Sequence, residues 1–286
     1  MHWDKSETRS PKTRERELMS ELPGFIAHAR KRAPGWAKIL AGVNPVKIRT
    51  RAALARLPVT RKSDLGALQK ELPPLGGLNA TPVEKLGKLF ISPGPIYEPE
   101  GRGKDWWRTA RGLYAGGFRA GDRVLNTFAY HFTPAGSMLE DGARAIGCTV
   151  IPGGTGHTEM QVAAIRDLRV TAYVGTPSFL KLIVEKADEL KADLSSLQKA
   201  HVGAEYLPPL LRHNLRERGI RVSQTYASAD LGLIAYESVM PGGKVNDGMI
   251  IDERLLLEIV RPGTGDPVAP GEVGEVVITT STRTIP

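Results

Sequence analysis

Through the middle of the chain, short apolar runs alternate with amphipathic stretches of helical length. The runs Arg123–Thr127, Cys148–Ile151, Ala172–Val174, Ala200–Val202 and Arg221–Gln224 read as strands. Between them, Gly136–Ala145, Glu159–Asp167, Phe179–Glu189 and Pro209–Arg218 read as helices, and Trp106–Ala115 as one preceding the first. Leu89–Ser92 reads as a further short strand, entering a loop over 93–99. Strands separated by helices predict an α/β fold, a doubly wound and mostly parallel sheet with helices on both faces.

The flanks differ. Residues 10–42 predict helices interrupted at Pro23-Gly24 and Pro34-Gly35, and Lys62–Lys70 predicts a short helix with Thr60 as its cap. Pro73-Pro74-Leu75-Gly76-Gly77 marks a boundary. After Tyr226 the texture turns to Leu255–Val260 and Glu275–Thr280, β-branched strands joined through Pro262-Gly263, which predict a small antiparallel β subdomain. The expected organisation is a basic helical subdomain over 1–78, an α/β core over 79–235 and the β subdomain over 236–286. The last residues, Thr284-Ile285-Pro286, follow a strand directly, and the expectation is of a chain cut there rather than finished.

Composition narrows the classes. No apolar run approaches the roughly 18 residues of a membrane span, and Met1–Lys5 is polar, unlike a signal peptide. A single cysteine, Cys148, predicts a buried reduced thiol and a cytoplasmic protein. The net charge of +8 is concentrated in residues 1–70, where 16 Lys/Arg face 6 Asp/Glu. Such a segment could meet nucleic acid or phosphorylated ligands. Glu15, Glu17 and Glu21 interrupt its basic residues, however, and no aromatic side chains interleave with them as a stacking platform needs. A solvated helical face explains the segment, and nucleic acid is not an expected partner.

Two turns sit where a strand passes into a helix. Gly153-Gly154-Thr155-Gly156-His157-Thr158 could attract an anion, but it lacks dinucleotide or P-loop spacing, and Thr158–Gln161 fits a capping box. Gly175-Thr176-Pro177-Ser178 fits an N-cap with proline at the first helical position, and at a strand's carboxyl end it would also line a ligand crevice. The six histidines form no i, i+4 pair, which argues against zinc, and no G-x-S-x-G elbow occurs.

Five segments together resemble the phenylacetate-CoA ligase branch of the adenylate-forming acyl-CoA ligases. They are Leu57-Pro58-Val59-Thr60-Arg61-Lys62-Ser63-Asp64-Leu65; Ala145–Pro152 with Gly153-Gly154 and Thr158-Glu159; Val174–Ser178; Gly203-Ala204-Glu205 with Tyr226-Ala227-Ser228-Ala229-Asp230; and Gly265-Asp266-Pro267 with Pro270–Val277. The resemblance implies a two-step reaction, in which a small carboxylic acid attacks ATP to form an acyl-adenylate and coenzyme A then displaces AMP. It implies Mg2+ beside the phosphates and a homodimer.

By the same resemblance Ser92, Gly94, Gly203, Ala204, Glu205, Tyr226 and Ala227 would bind nucleotide. Tyr130, His131, Gly175, Thr176 and Pro177 would border the carboxylate, and Asp230 would be catalytic and hold the metal. The competing reading is that Tyr226 is core and Asp230 a cap for Leu231-Gly232.

The departures are specific. The family's phosphate loop is rich in Ser, Thr and Gly and ends in Lys-Pro; here it reads Ser92-Pro93-Gly94-Pro95-Ile96-Tyr97-Glu98-Pro99. Ala229 replaces a hydroxyl residue and Asp230 a glutamate. The family's hinge and lysine-bearing C-terminal lid domain are expected to be absent after Pro286. The leading expectation is an ATP-dependent acyl-CoA ligase represented by its large N-terminal domain. The alternative is a catalytically impaired homologue acting as a nucleotide- or acyl-binding module.

Overall fold

The computed structural model describes residues 2–240 and 244–280. These form two compact units, one of residues 5–102 with 253–280 and the other of residues 2–4 with 103–252. The divisions fall at Arg102/Gly103 and Asp252/Glu253, and each unit is discontinuous in sequence.

The first unit opens with helix α1 (Pro11–Arg32), whose Ser10 side chain accepts the Thr13 N–H at 3.1 Å. Contrary to expectation α1 runs through Pro23-Gly24. Proline inside a helix costs roughly 3 kcal/mol. The burial of Leu18, Leu22 and Ile26 with Leu40, Ile48, Leu54 and Leu256 in one apolar cluster opposes that cost. The break at Pro34 is real: Ala33 is extended, and Pro34 opens α2 (Pro34–Ile39).

Two short helices follow, α3 (Arg51–Leu54) and α4 (Lys62–Glu71). The N-cap of α4 is Arg61, without a side-chain bond, so Thr60 does not cap it. Strands β1 (Lys88–Ser92) and β2 (Ile96–Glu100) pair as an antiparallel hairpin, with Ser92 opposite Ile96. The expected loop over 93–99 is therefore half strand, and the hairpin is no part of the central sheet.

The second unit is built around one seven-stranded sheet. Its elements are α5 (Thr109–Ala115), β3 (Arg123–Asn126), α6 (Ala135–Ile146), β4 (Thr149–Pro152), α7 (Thr158–Asp167), β5 (Ala172–Gly175), α8 (Pro177–Glu189), β6 (Lys199–Val202), α9 (Pro209–Glu217), β7 (Arg221–Ser228), β8 (Gly232–Tyr236) and β9 (Ile250–Ile251). Helix α5 begins three residues later than predicted, because Arg108 takes a left-handed φ of 63°. The strand order is β4-β3-β5-β6-β7-β8-β9, parallel through β7 and antiparallel beyond it.

From β3 the chain steps first to β4 and then back past β3 to β5, β6 and β7. With right-handed crossovers this reversal places α6 on one face and α7, α8 and α9 on the other. Under α7–α9 lies an apolar cluster that includes Leu125, Ile165, Tyr173, Ile183, Val202 and Leu215. Strand β7 continues to Ser228, and fully buried β8 extends the same sheet. The predicted antiparallel pair does form, as β10 (Leu255–Val260) with β11 (Glu275–Thr280), and it belongs to the first unit. No helix among the described residues is long and apolar enough to cross a membrane.

Candidate functional site

In the second unit the parallel strands bring their carboxyl ends to one edge. Strand β3 ends at Asn126 and leads to Thr127–His131; its neighbour β5 ends at Gly175 and leads to Thr176-Pro177. Between β3 and β5 the strand order reverses, the point at which open α/β sheets bind ligands. One strand further, β6 leads to Gly203-Ala204-Glu205, and β7 itself carries Tyr226 and Ala227 before Asp230. Every predicted site residue except Ser92 and Gly94 is thus on this edge.

The edge is tied together by hydrogen bonds. Thr127 N–H donates to the Val174 carbonyl at 2.9 Å, and Gly203 N–H to the Gly175 carbonyl at 3.2 Å. Thr127 Oγ1 donates to the Tyr173 hydroxyl (2.8 Å), which donates to the Thr176 carbonyl (3.1 Å). Gly175 is required there, since a Cβ would lie 2.1 Å from Thr127 Oγ1 and 2.2 Å from the Tyr173 hydroxyl. Thr176 caps α8 as predicted, accepting the Phe179 N–H at 3.3 Å. The Glu205 carboxylate accepts the Ser178 N–H at 3.3 Å and so links two of the loops.

Tyr130 is partly buried and its hydroxyl accepts from Asn126 Nδ2 at 2.8 Å. Burial, and then the Glu140 carboxylate, hold that hydroxyl well above its ordinary pKa. His131 is exposed, beside Phe132, which is 73% exposed at a φ of 59°.

Tyr226 is 45% exposed, which removes the reading of it as core and leaves an aromatic face open to a base. A second exposed aromatic, Tyr206 at 74%, follows Glu205 and carried no motif to single it out. Asp230 is partly buried, and in the turn after it Ser228 Oγ accepts the Leu231 N–H at 3.3 Å. Among the described residues no group of three His, Cys, Asp or Glu side chains could hold a metal. Asp230 therefore fits magnesium only in the manner of a site completed by substrate phosphates and water.

The Gly-rich turn after β4 has a structural explanation different from the capping box. His157 is the N-cap of α7, in a left-handed conformation and without a side-chain bond. Gln161 Nε2 instead donates to the carbonyls of Gly153 (3.0 Å), Gly154 (3.1 Å) and Gly156 (3.3 Å). The loop is wrapped on a buried amide.

Ser92 and Gly94 lie on the β1–β2 hairpin of the other unit. Ser92 Oγ donates to Glu98 Oε1 at 2.8 Å, and Lys62 Nζ approaches the same oxygen at 3.2 Å. Gln69 clamps Tyr97, donating to its carbonyl and accepting its N–H, both at 2.8 Å. Pro93, Pro95 and Pro99 have no N–H to offer. A phosphate cradle needs free donors; this hairpin has few, and it contains a buried carboxylate of its own. Its residues do not fit the phosphates that the resemblance assigned to them.

The sequence comparisons identify a family, and the structural ones show its fold. The family profile described as AMP-binding enzyme matches residues 105–283. Phenylacetate-coenzyme A ligases of Thermus thermophilus and Escherichia coli are each 31% identical to this chain, over 96% and 92% of it. The chain spans 63% and 62% of the length of those two relatives. Among solved structures, 2-hydroxyisobutyryl-CoA ligase in complex with 2-HIB-AMP and CoA superposes with a TM-score of 0.87 at 22% identity, over 99% of this chain and 63% of that one. Anthranilate CoA ligase superposes with a TM-score of 0.58 over 73% of this chain and 41% of that one. The chain belongs to the AMP-binding enzyme family and, within it, is phenylacetate-CoA ligase-like.

Proposed function

We propose that the protein is an AMP-forming acyl-CoA ligase and that the second unit carries its nucleotide and acyl-carboxylate site. The observation behind this is the gathering of Tyr130, Gly175, Thr176, Gly203–Glu205, Tyr226 and Asp230 at the carboxyl edge of four adjacent parallel strands, flanking the switch point. In this reading the carboxylate of a small acid attacks the α-phosphate of ATP and pyrophosphate leaves. The thiolate of coenzyme A then attacks the acyl carbon, and AMP leaves.

Tyr226 stacks on adenine, with Gly203-Ala204-Glu205 and Ala227 along the nucleotide. Gly175 and Thr176 leave room for the acid carboxylate, oriented beside Tyr130, His131 and Pro177. Magnesium, when bound at Asp230, offsets phosphate charge. The homodimer and the cytoplasmic location belong to the same reading, the latter supported by the one buried, unpaired cysteine, Cys148.

The test is ATP–pyrophosphate exchange and thioester formation by the full-length protein over a panel of carboxylic acids, with phenylacetate first because of the relatives above. Acid-dependent exchange is expected. AMP binding without exchange for any acid would favour a binding module, and no nucleotide binding at all would overturn the reading.

A further inference from the structure

The connection from β6 to α9 carries Gly203, Ala204 and Glu205, and Ala204 takes a φ of 66°. A residue with a Cβ rarely adopts that conformation, and it persists where the surroundings impose it. The entry of the loop is fixed by the bond from Gly203 N–H to the Gly175 carbonyl. Its exit is fixed by a side chain: Leu207 N–H donates to Gln224 Oε1 at 2.8 Å.

Gln224 is itself immobilised. Its Nε2 donates to Glu237 Oε1 (3.0 Å) and its backbone N–H to Glu237 Oε2 (2.9 Å). The same carboxylate receives Arg212 Nη2 at 2.6 Å and Nη1 at 3.0 Å, and Arg212 Nη1 also donates to the Val222 carbonyl at 2.8 Å. The amide cannot be turned over, because its oxygen must meet an N–H and its nitrogen a carboxylate. Arg212 stands on α9, just past the loop, while Gln224 and Glu237 stand on β7 and after β8. One network of three side chains therefore ties the loop's exit, and the helix that follows it, to the sheet.

The pairing of β7 with β8 has its own backbone ladder and does not depend on these side chains. What the network adds is a fixed end for the strained loop. We propose that Gln224, set by Glu237 and Arg212, is a positioning residue that keeps Ala204 left-handed and so presents Gly203–Glu205 to the nucleotide. The nucleotide part of this rests on the function proposed above.

The test uses the whole chain and the variants Gln224→Ala, Ala204→Gly and the double variant. Without nucleotide, amide exchange at residues 204–207 is expected to speed up about tenfold in Gln224→Ala, with β7 and β8 unchanged. With AMP as the probe, affinity is expected to fall about tenfold in Gln224→Ala. The double variant is expected to recover to within about twofold of the wild type, because glycine takes the left-handed conformation freely. A merely structural glutamine gives no such rescue.

Unchanged exchange in the loop, or AMP affinity that Gln224→Ala leaves intact, overturns the positioning role alone. Absence of AMP binding by the wild type overturns the proposed function and the nucleotide role of the loop together, and the exchange data then report on the anchoring by itself. Should Gln224→Ala not fold, Glu237→Gln, which keeps the shape and weakens the charge-assisted bonds, is read in the same way.

Discussion

Lys62 Nζ lies 3.2 Å from Glu98 Oε1, on a carboxylate side chain only 3% exposed. The sequence places a glutamate where the family has a lysine, and the fold supplies a lysine from α4 to neutralise it. Glu98 accepts from Ser92 in the hairpin and from Lys62 on α4, so it ties the hairpin to that helix. Glu98→Ala is expected to destabilise the protein by about 1–3 kcal/mol, the cost of stranding buried donors. AMP affinity is expected to stay as it is. Urea unfolding and calorimetric titration check both, and a large loss of affinity would show that Glu98 belongs to the ligand site.

His201 is wholly buried, with Nδ1 2.8 Å from Ser223 Oγ, and burial pushes its pKa down to about 4. The unfolded chain binds this proton near pH 6.5 and the folded chain does so only near pH 4. The stabilisation is complete above pH 6.5 and is lost as pH falls towards 4. Between pH 7 and pH 5 the loss from this group is expected to be about 2 kcal/mol. Urea midpoints across that range should slope accordingly, and His201→Gln should flatten the slope.

Gly175→Ala is expected to be costly despite its size. The added methyl would lie 2.1 Å from Thr127 Oγ1 and 2.2 Å from the Tyr173 hydroxyl, far inside van der Waals contact, and forcing them apart costs roughly 1–3 kcal/mol. Since both hydroxyls sit at the β3–β5 switch point, the apparent KM for the acid is expected to rise more than that for ATP. Equal changes in both constants would count against a carboxylate subsite there.

Tyr226 and Asp230 separate by their readouts. Tyr226→Ala is expected to weaken AMP binding by about 1–3 kcal/mol through lost stacking. Asp230→Ala is expected to remove the magnesium dependence of adenylate formation, while the cap of the adjacent turn by Ser228 stays in place. A drop of about 1 kcal/mol in stability with magnesium dependence intact would return Asp230 to a structural role.

Much of the second unit was legible in the sequence because its elements are encoded locally. Apolar runs at strand spacing and amphipathic stretches at helical spacing mark β3–β7 and α6–α9 to within a residue or two, apart from the longer end of β7, and the bounds of β10 and β11 agree. Turn chemistry at Thr176-Pro177 is local as well, and it held.

What only the tertiary structure decided lies in pairs far apart along the chain. Pro23 reads as a break until Leu256, more than 200 residues away, joins the cluster that buries Leu22. The sequence reading predicts no strand over Gly232–Tyr236; β8 forms there because β7 supplies a partner for its hydrogen bonds. Gln224 is one polar residue ending an apolar run, and nothing near it in sequence says that its oxygen will hold Leu207 and its nitrogen Glu237. Periodicity determines which face of an element is apolar; which buried polar group meets which is settled by the packing of the elements, since a donor and acceptor need only be brought together in space.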